Sequence, residues 1–93
     1  MDYLHRDLGV IGPETTVEVT LDHPANVQLL DPNNFLAYEN RSAYRYQGGH
    51  VTVSPFRIRP PHPGRWHLVI DLGGGPGAVR ASVRTLSDSP VPS

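Results

Sequence analysis

The sequence predicts an all-β fold: a single small antiparallel β-sandwich, jelly-roll-like, or a partly open barrel of roughly six to eight short strands. Two observations carry this prediction. Apolar and polar residues alternate with a period of two in several short segments, which is typical of strands that bury one face. Ten prolines and nine glycines among 93 residues provide the tight turns that many short strands need.

The first third of the chain contains three predicted strands separated by turns. The strands are expected at residues 3–8, 15–22 and 27–30. The turns are expected at residues 9–13, 23–26 and 31–34. The second strand has the clearest pattern, because Val17, Val19 and Leu21 alternate with polar residues.

Residues 35–49 interrupt this regular pattern. The segment is polar and aromatic, and it has no clean period. We expect a long loop here, with at most a helical turn near residues 35–39. Long structured loops in compact domains are more often functional than short ones, so this loop becomes a candidate site.

Three further strands are predicted in the second half of the chain. They are expected at residues 50–59, 65–72 and 78–86. Pro55 interrupts the first, which indicates an edge strand or a bend. We interpret the glycine-rich residues 73–77 as a connection between strands, because a phosphate-binding loop requires a following helix. Residues 1–86 are predicted to form one β-sandwich domain, and residues 87–93 a disordered Ser/Pro tail.

The predicted core consists of apolar residues that face one side of these strands. They are Val17, Val19, Leu21, Val27, Leu29, Phe56, Ile58, Trp66, Leu68, Ile70, Val79, Ala81 and Val83. This set is sufficient for one small core, but it leaves little reserve of stability once backbone entropy is subtracted.

Composition sets several functions and compartments aside. Cysteine is absent, which excludes disulfides and thiolate metal sites. No apolar run is long enough for a signal peptide or a membrane span, so we expect a cytoplasmic protein with no membrane partner. The formal net charge of −1 gives no overall attraction to nucleic acid.

Catalytic and cofactor motifs are also missing from the sequence, so we expect no enzymatic activity and no cofactor. The five histidines do not have the fixed spacing of a metal-ligand motif, and no metal site is predicted. Nucleophilic catalysis has no candidate either, since there is no cysteine and no serine in a nucleophile elbow.

The segment of residues 38–47 is the first candidate binding site. It interleaves Tyr38, Arg41, Tyr44, Arg45 and Tyr46. Tyrosine and arginine dominate binding hot spots, because both bury large surfaces while keeping polar contacts. The alternative is that these tyrosines pack back onto the edge of the sandwich.

Outward-facing basic residues on the later strands form the second candidate. They are Arg57, Arg59, His67, Arg80 and Arg84. If their strands are neighbours, these side chains would share one sheet face and could bind an anion or an acidic partner. The alternative is a solvated polar face on which the carboxylates of Glu18 and Asp71 balance the positive charges.

Several runs of residues, taken together, resemble a known family. They are ANVQLLD, NF, YRYQGG and G-x-WH-x-x-x-DLGG, spread over residues 2–86. In these runs the chain is similar to the bacterial domains of unknown function numbered 1883. The resemblance implies a small, mostly β domain that stands alone or is joined to a TIR-type signalling domain, and we expect the stand-alone form. It implies no activity and provides no catalytic residues.

Three functions remain open at this point. The first is a non-enzymatic binding module for an unknown protein or small-molecule ligand, in a bacterial signalling context linked to TIR-type domains. The second is a nucleic-acid or nucleotide-binding domain that uses the same Tyr/Arg segment, since both residues stack on bases. The third is a carbohydrate-binding sandwich in which Asn40 joins Tyr38, Tyr44 and Tyr46.

Overall fold

The computed structural model describes residues 3–72 and 80–87. Within these residues, seven strands and one helix follow one another along the chain. In order they are β1 (Tyr3–Ile11), β2 (Thr15–Leu21), β3 (Ala25–Leu30), α1 (Pro32–Glu39), β4 (Gln47–Val51), β5 (Phe56–Ile58), β6 (Gly64–Asp71) and β7 (Ala81–Ser87).

The strands form two antiparallel sheets, which confirms the predicted all-β class. The four-stranded sheet has the order β1-β6-β3-β4, and the three-stranded sheet has the order β5-β2-β7. Most strands that follow one another along the chain do not pair, because β2 lies between β5 and β7 and β6 lies between β1 and β3. Strands β3 and β4 are an exception, since they are antiparallel neighbours in the four-stranded sheet.

The core lies between the two sheets. Val17 and Val19 of β2 face Val27, Leu29 and other residues of the four-stranded sheet, and these four side chains are fully buried. The remaining predicted core residues within the described ranges also belong to this cluster or pack against it. Val79 lies outside the described residues. The alternating pattern therefore identified the inward faces of the strands correctly.

The predicted loop at residues 35–49 is only partly correct. Residues 40–46 lie outside helices and strands, and the helical turn expected at residues 35–39 belongs to the longer helix α1. Asp31 caps α1: its carboxylate accepts hydrogen bonds from the backbone N–H of Asn34 at 2.8 Å and from the Asn34 side chain at 2.9 Å. Pro32 lies in the first turn of the helix. Backbone N–H groups have no partner inside the helix at this position, so the N–H that proline lacks is not a lost hydrogen bond. The same residue types that favour a turn thus begin a helix. Residues 47–49 belong to β4.

The helix covers the outer face of the four-stranded sheet and adds a third layer. Leu30 and Val69 point away from the core between the sheets, yet both are fully buried. Asp71, on the same outer face, is 4% exposed. The prediction that β6 is buried on one face only is therefore wrong, because α1 and the chain after it shield the second face.

Two predicted strands have different limits in the structure. Strand β1 continues to Ile11 through a bulge at Gly9, whose φ of 72° suits glycine. The strand predicted at residues 50–59 is two strands, since β4 and β5 belong to different sheets and the chain crosses between them at residues 52–55. The glycine-rich residues 73–77 and residues 88–93 of the predicted tail lie outside the described residues.

Within residues 3–72 and 80–87, no helix is long and apolar enough to cross a membrane.

Candidate functional site

Tyr38 is part of the packing that holds α1 on the four-stranded sheet. Its hydroxyl donates a 2.7 Å hydrogen bond to Oδ2 of the buried Asp71, and Asn26 donates to Oδ1 of the same carboxylate at 2.9 Å. The ring makes edge contacts with Tyr3 and Tyr44, each with centroids 5.3 Å apart. Burial, and then the hydrogen bond to Asp71, raises the pKa of Tyr38 far above its usual value, so its hydroxyl stays a donor.

Tyr44 is also anchored to the sheet. Its hydroxyl donates to Oε1 of Gln28 at 3.0 Å, and Gln28 is a buried residue of β3. Tyr46 lies next to it, with ring centroids 5.6 Å apart, but Tyr46 is 45% exposed. Of the three predicted tyrosines, Tyr46 is the one that presents a substantial surface to solvent.

The two arginines of this segment have different surroundings. Arg41 follows the helix with a φ of 58° and is exposed. Arg45 is fixed at its backbone, whose N–H donates to Oδ1 of Asn34 at 2.7 Å. In residues 3–72 and 80–87, neither guanidinium takes part in an ion pair or a hydrogen bond. Both charges are therefore available to a ligand.

Arg45 and Tyr46 border a cleft at the end of the four-stranded sheet, which we name the Arg45 cleft. It encloses about 230 Å³. Its lining residues are Leu29, Asp31, Asn34, Arg45, Tyr46, Gln47, Pro61, His62 and Trp66. The cleft thus combines a cation, a carboxylate, an exposed aromatic ring, two side-chain amides and an apolar floor.

Trp66 and His62 form one wall of this cleft. The Trp66 indole N–H donates to the backbone carbonyl of His62 at 3.1 Å, and the two rings lie 5.0 Å apart. Trp66 itself is 4% exposed, so its ring offers little surface on which a ligand could stack, and its role at the cleft is structural. These two residues were not predicted as site residues, because Trp66 was assigned to the core alone.

The second predicted site does not form one surface. Arg57 and Arg84 lie directly across from Glu18 on the outer face of the three-stranded sheet. His67 lies in the four-stranded sheet, so it does not join them. Arg59 lies just after β5 and approaches the carbonyl of Pro13 at 3.5 Å.

Arg57 and Arg84 are occupied by their neighbour on the central strand. Their Nε atoms donate to the two oxygens of Glu18 at 2.9 and 2.6 Å, and the Glu18 side chain is 7% exposed. The hydrogen bond from Arg84, followed by that from Arg57, lowers the pKa of Glu18. Because the Glu18 carboxylate holds both guanidinium groups, these arginines fit a polar structural face, although the three groups together keep one positive charge in excess.

Arg80 is placed at the edge of the three-stranded sheet. Its backbone N–H donates to Oδ1 of Asp22 at 2.8 Å, just before β7 begins. This contact ties the start of β7 to the end of β2. Neither Arg80 nor any other member of the second set lines the Arg45 cleft.

A ring stack that the sequence did not indicate holds the other side of α1. Phe35 of the helix stacks on His5 at 4.2 Å and on His67 at 4.6 Å between centroids. Nε2 of His5 and Nδ1 of His67 lie 2.9 Å apart in a hydrogen bond. Burial lowers the pKa of His67, which keeps its ring neutral for this contact. The pairing of β1 with β6, which brings these histidines together, was not predicted.

Among the described residues, no three histidines, aspartates or glutamates come together in a way that could hold a metal ion.

Comparison with known proteins assigns the chain to a family. A family model described as a domain of unknown function (DUF1883) matches residues 1–89. No curated protein and no solved structure gives a significant match. Since the family model covers nearly the whole chain, as the predicted resemblance implied, the protein belongs to the DUF1883 family of domains of unknown function.

Proposed function

We propose that this chain is a non-enzymatic binding module whose site is the Arg45 cleft. Its ligand is a small molecule or partner group that carries a carboxylate or phosphate next to a planar ring. The observation that carries the proposal is that Arg45 and the exposed Tyr46 both line this cleft, and that the Arg45 guanidinium has no ion pair among the described residues.

The chemistry of the lining supports this ligand class. A guanidinium offers a planar fork of donors that matches a carboxylate or phosphate, and an exposed tyrosine ring stacks on a planar group. Gln47 and Asn34 add amide groups at the same cleft. A volume of about 230 Å³ suits one small ligand with a planar ring system and an anionic group better than a chain of nucleotides.

The Asp31 carboxylate, which lines the cleft, is already engaged in hydrogen bonds, and this favours binding over catalysis. Oδ1 of Asp31 already accepts two hydrogen bonds from Asn34 as the helix cap. A group that fixes the start of α1 is a poor general base, since moving a proton to it would weaken the cap. A signalling role, alone or beside a TIR-type domain, is part of this proposal.

Calorimetric titration with simple probes tests the proposal. Benzoate and adenosine monophosphate carry a ring and an anion, adenosine carries only the ring, and inorganic phosphate carries only the anion. We expect the first two to bind more tightly than the last two. Comparison of the Kd of benzoate with that of adenosine monophosphate distinguishes a site that prefers a carboxylate from one that prefers a phosphate.

A matched pair of variants assigns the binding to the cleft. Arg45→Gln removes charge-assisted hydrogen bonds of about 1.5–3 kcal/mol, which corresponds to roughly a 10- to 150-fold weaker Kd. Arg41→Gln makes the same change of charge outside the cleft and should leave the Kd unchanged. Equal losses in both variants, or no binding of either anionic ring, would contradict the proposal.

A further inference from the structure

A second cavity opens between the two sheets, where β1 and β7 are both edge strands. It encloses about 160 Å³ and shares no lining residue with the Arg45 cleft. We name it the edge groove; its lining includes Leu4, Arg6, Leu68, Ile70, Ala81 and Val83. The walls come from both sheets, so the groove is an opening of the sandwich interior to solvent.

Arg6 occupies an unusual position in this groove. In the antiparallel pairing of β1 with β6, Leu4 lies across from Ile70 and Arg6 lies across from Leu68. Directly paired residues point to the same side of a sheet, and both β6 residues point into the core. A cationic residue therefore stands in an inward-facing apolar row.

The charge of Arg6 is not balanced within the described part of the chain. No ion pair or side-chain hydrogen bond involves its guanidinium there. The exposed position of Arg6 places that charge where the groove meets solvent. Leu4, one step along the same row, is 42% exposed, so apolar surface is left open beside the charge.

We propose that the edge groove binds a short straight-chain aliphatic carboxylate. The chain lies between the aliphatic side chains of the two sheets, and the carboxylate pairs with the Arg6 guanidinium at the mouth. Charge complementarity selects the head group, because a guanidinium fork matches a carboxylate. The aliphatic lining selects the tail, because burying each methylene is favourable.

The size of the groove sets the length of the chain. An apolar cavity of about 150 Å³ holds a molecule of roughly six carbon atoms. The edge groove has a similar volume of about 160 Å³. Hexanoate and octanoate are therefore the expected probes. Each methylene that enters the groove should tighten binding about fourfold.

The test is a nuclear magnetic resonance titration of the full chain, following the methyl signals of Leu4, Ile70 and Val83. We expect saturable shifts with octanoate and hexanoate, and weaker binding of butanoate. Arg6→Gln should weaken octanoate binding at least tenfold while leaving the Kd of octanol, which has the same chain without the charge, unchanged. Arg41→Gln provides the control for a lost positive charge elsewhere.

Three outcomes would overturn the proposal. The first is the absence of methyl shifts with any carboxylate, and the second is equal octanoate binding in Arg6→Gln and the wild type. The third is a change of the same signals with protein concentration alone, which would assign the groove to a second copy of the chain. Octanoate binding in Arg45→Gln should match the wild type. The test of the edge groove is therefore independent of whether the Arg45 cleft binds a ligand.

Discussion

Replacing Tyr38 by phenylalanine tests whether this residue holds the helix on the sheet. The substitution removes one hydroxyl, which donates at 2.7 Å to the carboxylate of Asp71, and keeps the ring that contacts Tyr3 and Tyr44. Asp71 is 4% exposed, so water replaces the lost donor poorly. A hydrogen bond to a charged group contributes about 1.5–3 kcal/mol. In a domain of this size, a loss of about 2 kcal/mol lowers Tm by roughly 8–16 °C.

Tyr46→Phe is the matched control for this prediction. It removes the same atom from a ring that is 45% exposed, and no hydrogen bond of its hydroxyl is present among the described residues. The free energy of unfolding should therefore stay within about 0.5 kcal/mol of the wild type. Both variants are measured by thermal and urea unfolding followed by circular dichroism. Equal stability of Tyr38→Phe and Tyr46→Phe would refute the structural role of Tyr38.

Four further substitutions test other parts of the fold. Glu18→Gln should lower Tm near neutral pH and should also weaken the acid sensitivity of unfolding. The reason is that the hydrogen bond from Arg84 lowers the pKa of Glu18 in the folded state. The ionised Glu18 side chain therefore stabilises the fold above its unfolded pKa of about 4.3, and this stabilisation is lost as the pH falls through the lower pKa of the folded state. An unchanged dependence of unfolding on pH in Glu18→Gln would contradict this. Gly48→Ala should destabilise by more than about 1–3 kcal/mol, because its φ is 116° and a Cβ would lie 2.1 Å from a backbone oxygen of β3. Gly49→Ala, with φ 152° and no atom within 4 Å, should cost less in the same urea titration. Trp66→Ala should lose about 3–5 kcal/mol and unfold the domain at 37 °C or below, so a cooperative melt within a few degrees of wild type would count against it.

The sheets were predictable because their pattern is local. Val17 and Val19 alternate with polar neighbours, and the structure buries them completely. The helix was not predictable in the same way. Residues 31–34 carry a turn signal that equally serves as a helix start, and the choice between the two is made by packing of α1 on β3 and β6.

The sites were predictable in composition but not in placement. Arg45 and Tyr46 were predicted as binding residues from residue type alone, and both line the cleft, whereas the lining residues His62 and Trp66 come from a distant part of the chain. The proposed face of Arg57, Arg84 and His67 relied on strands adjacent in sequence being adjacent in space. That assumption fails because β6 joins one sheet while β5 and β7 join the other.

The central claim is that the Arg45 cleft, not the buried tyrosine contacts, binds the ligand. Trp66 is the single tryptophan of the chain, and its indole N–H donates to the carbonyl of His62, another lining residue, so its resonance reports on that cleft. Titration with benzoate and with adenosine monophosphate should shift this resonance saturably in the wild type and in Arg41→Gln, but not in Arg45→Gln. An indole signal that stays fixed with both probes, or that shifts equally in Arg45→Gln, would contradict the claim.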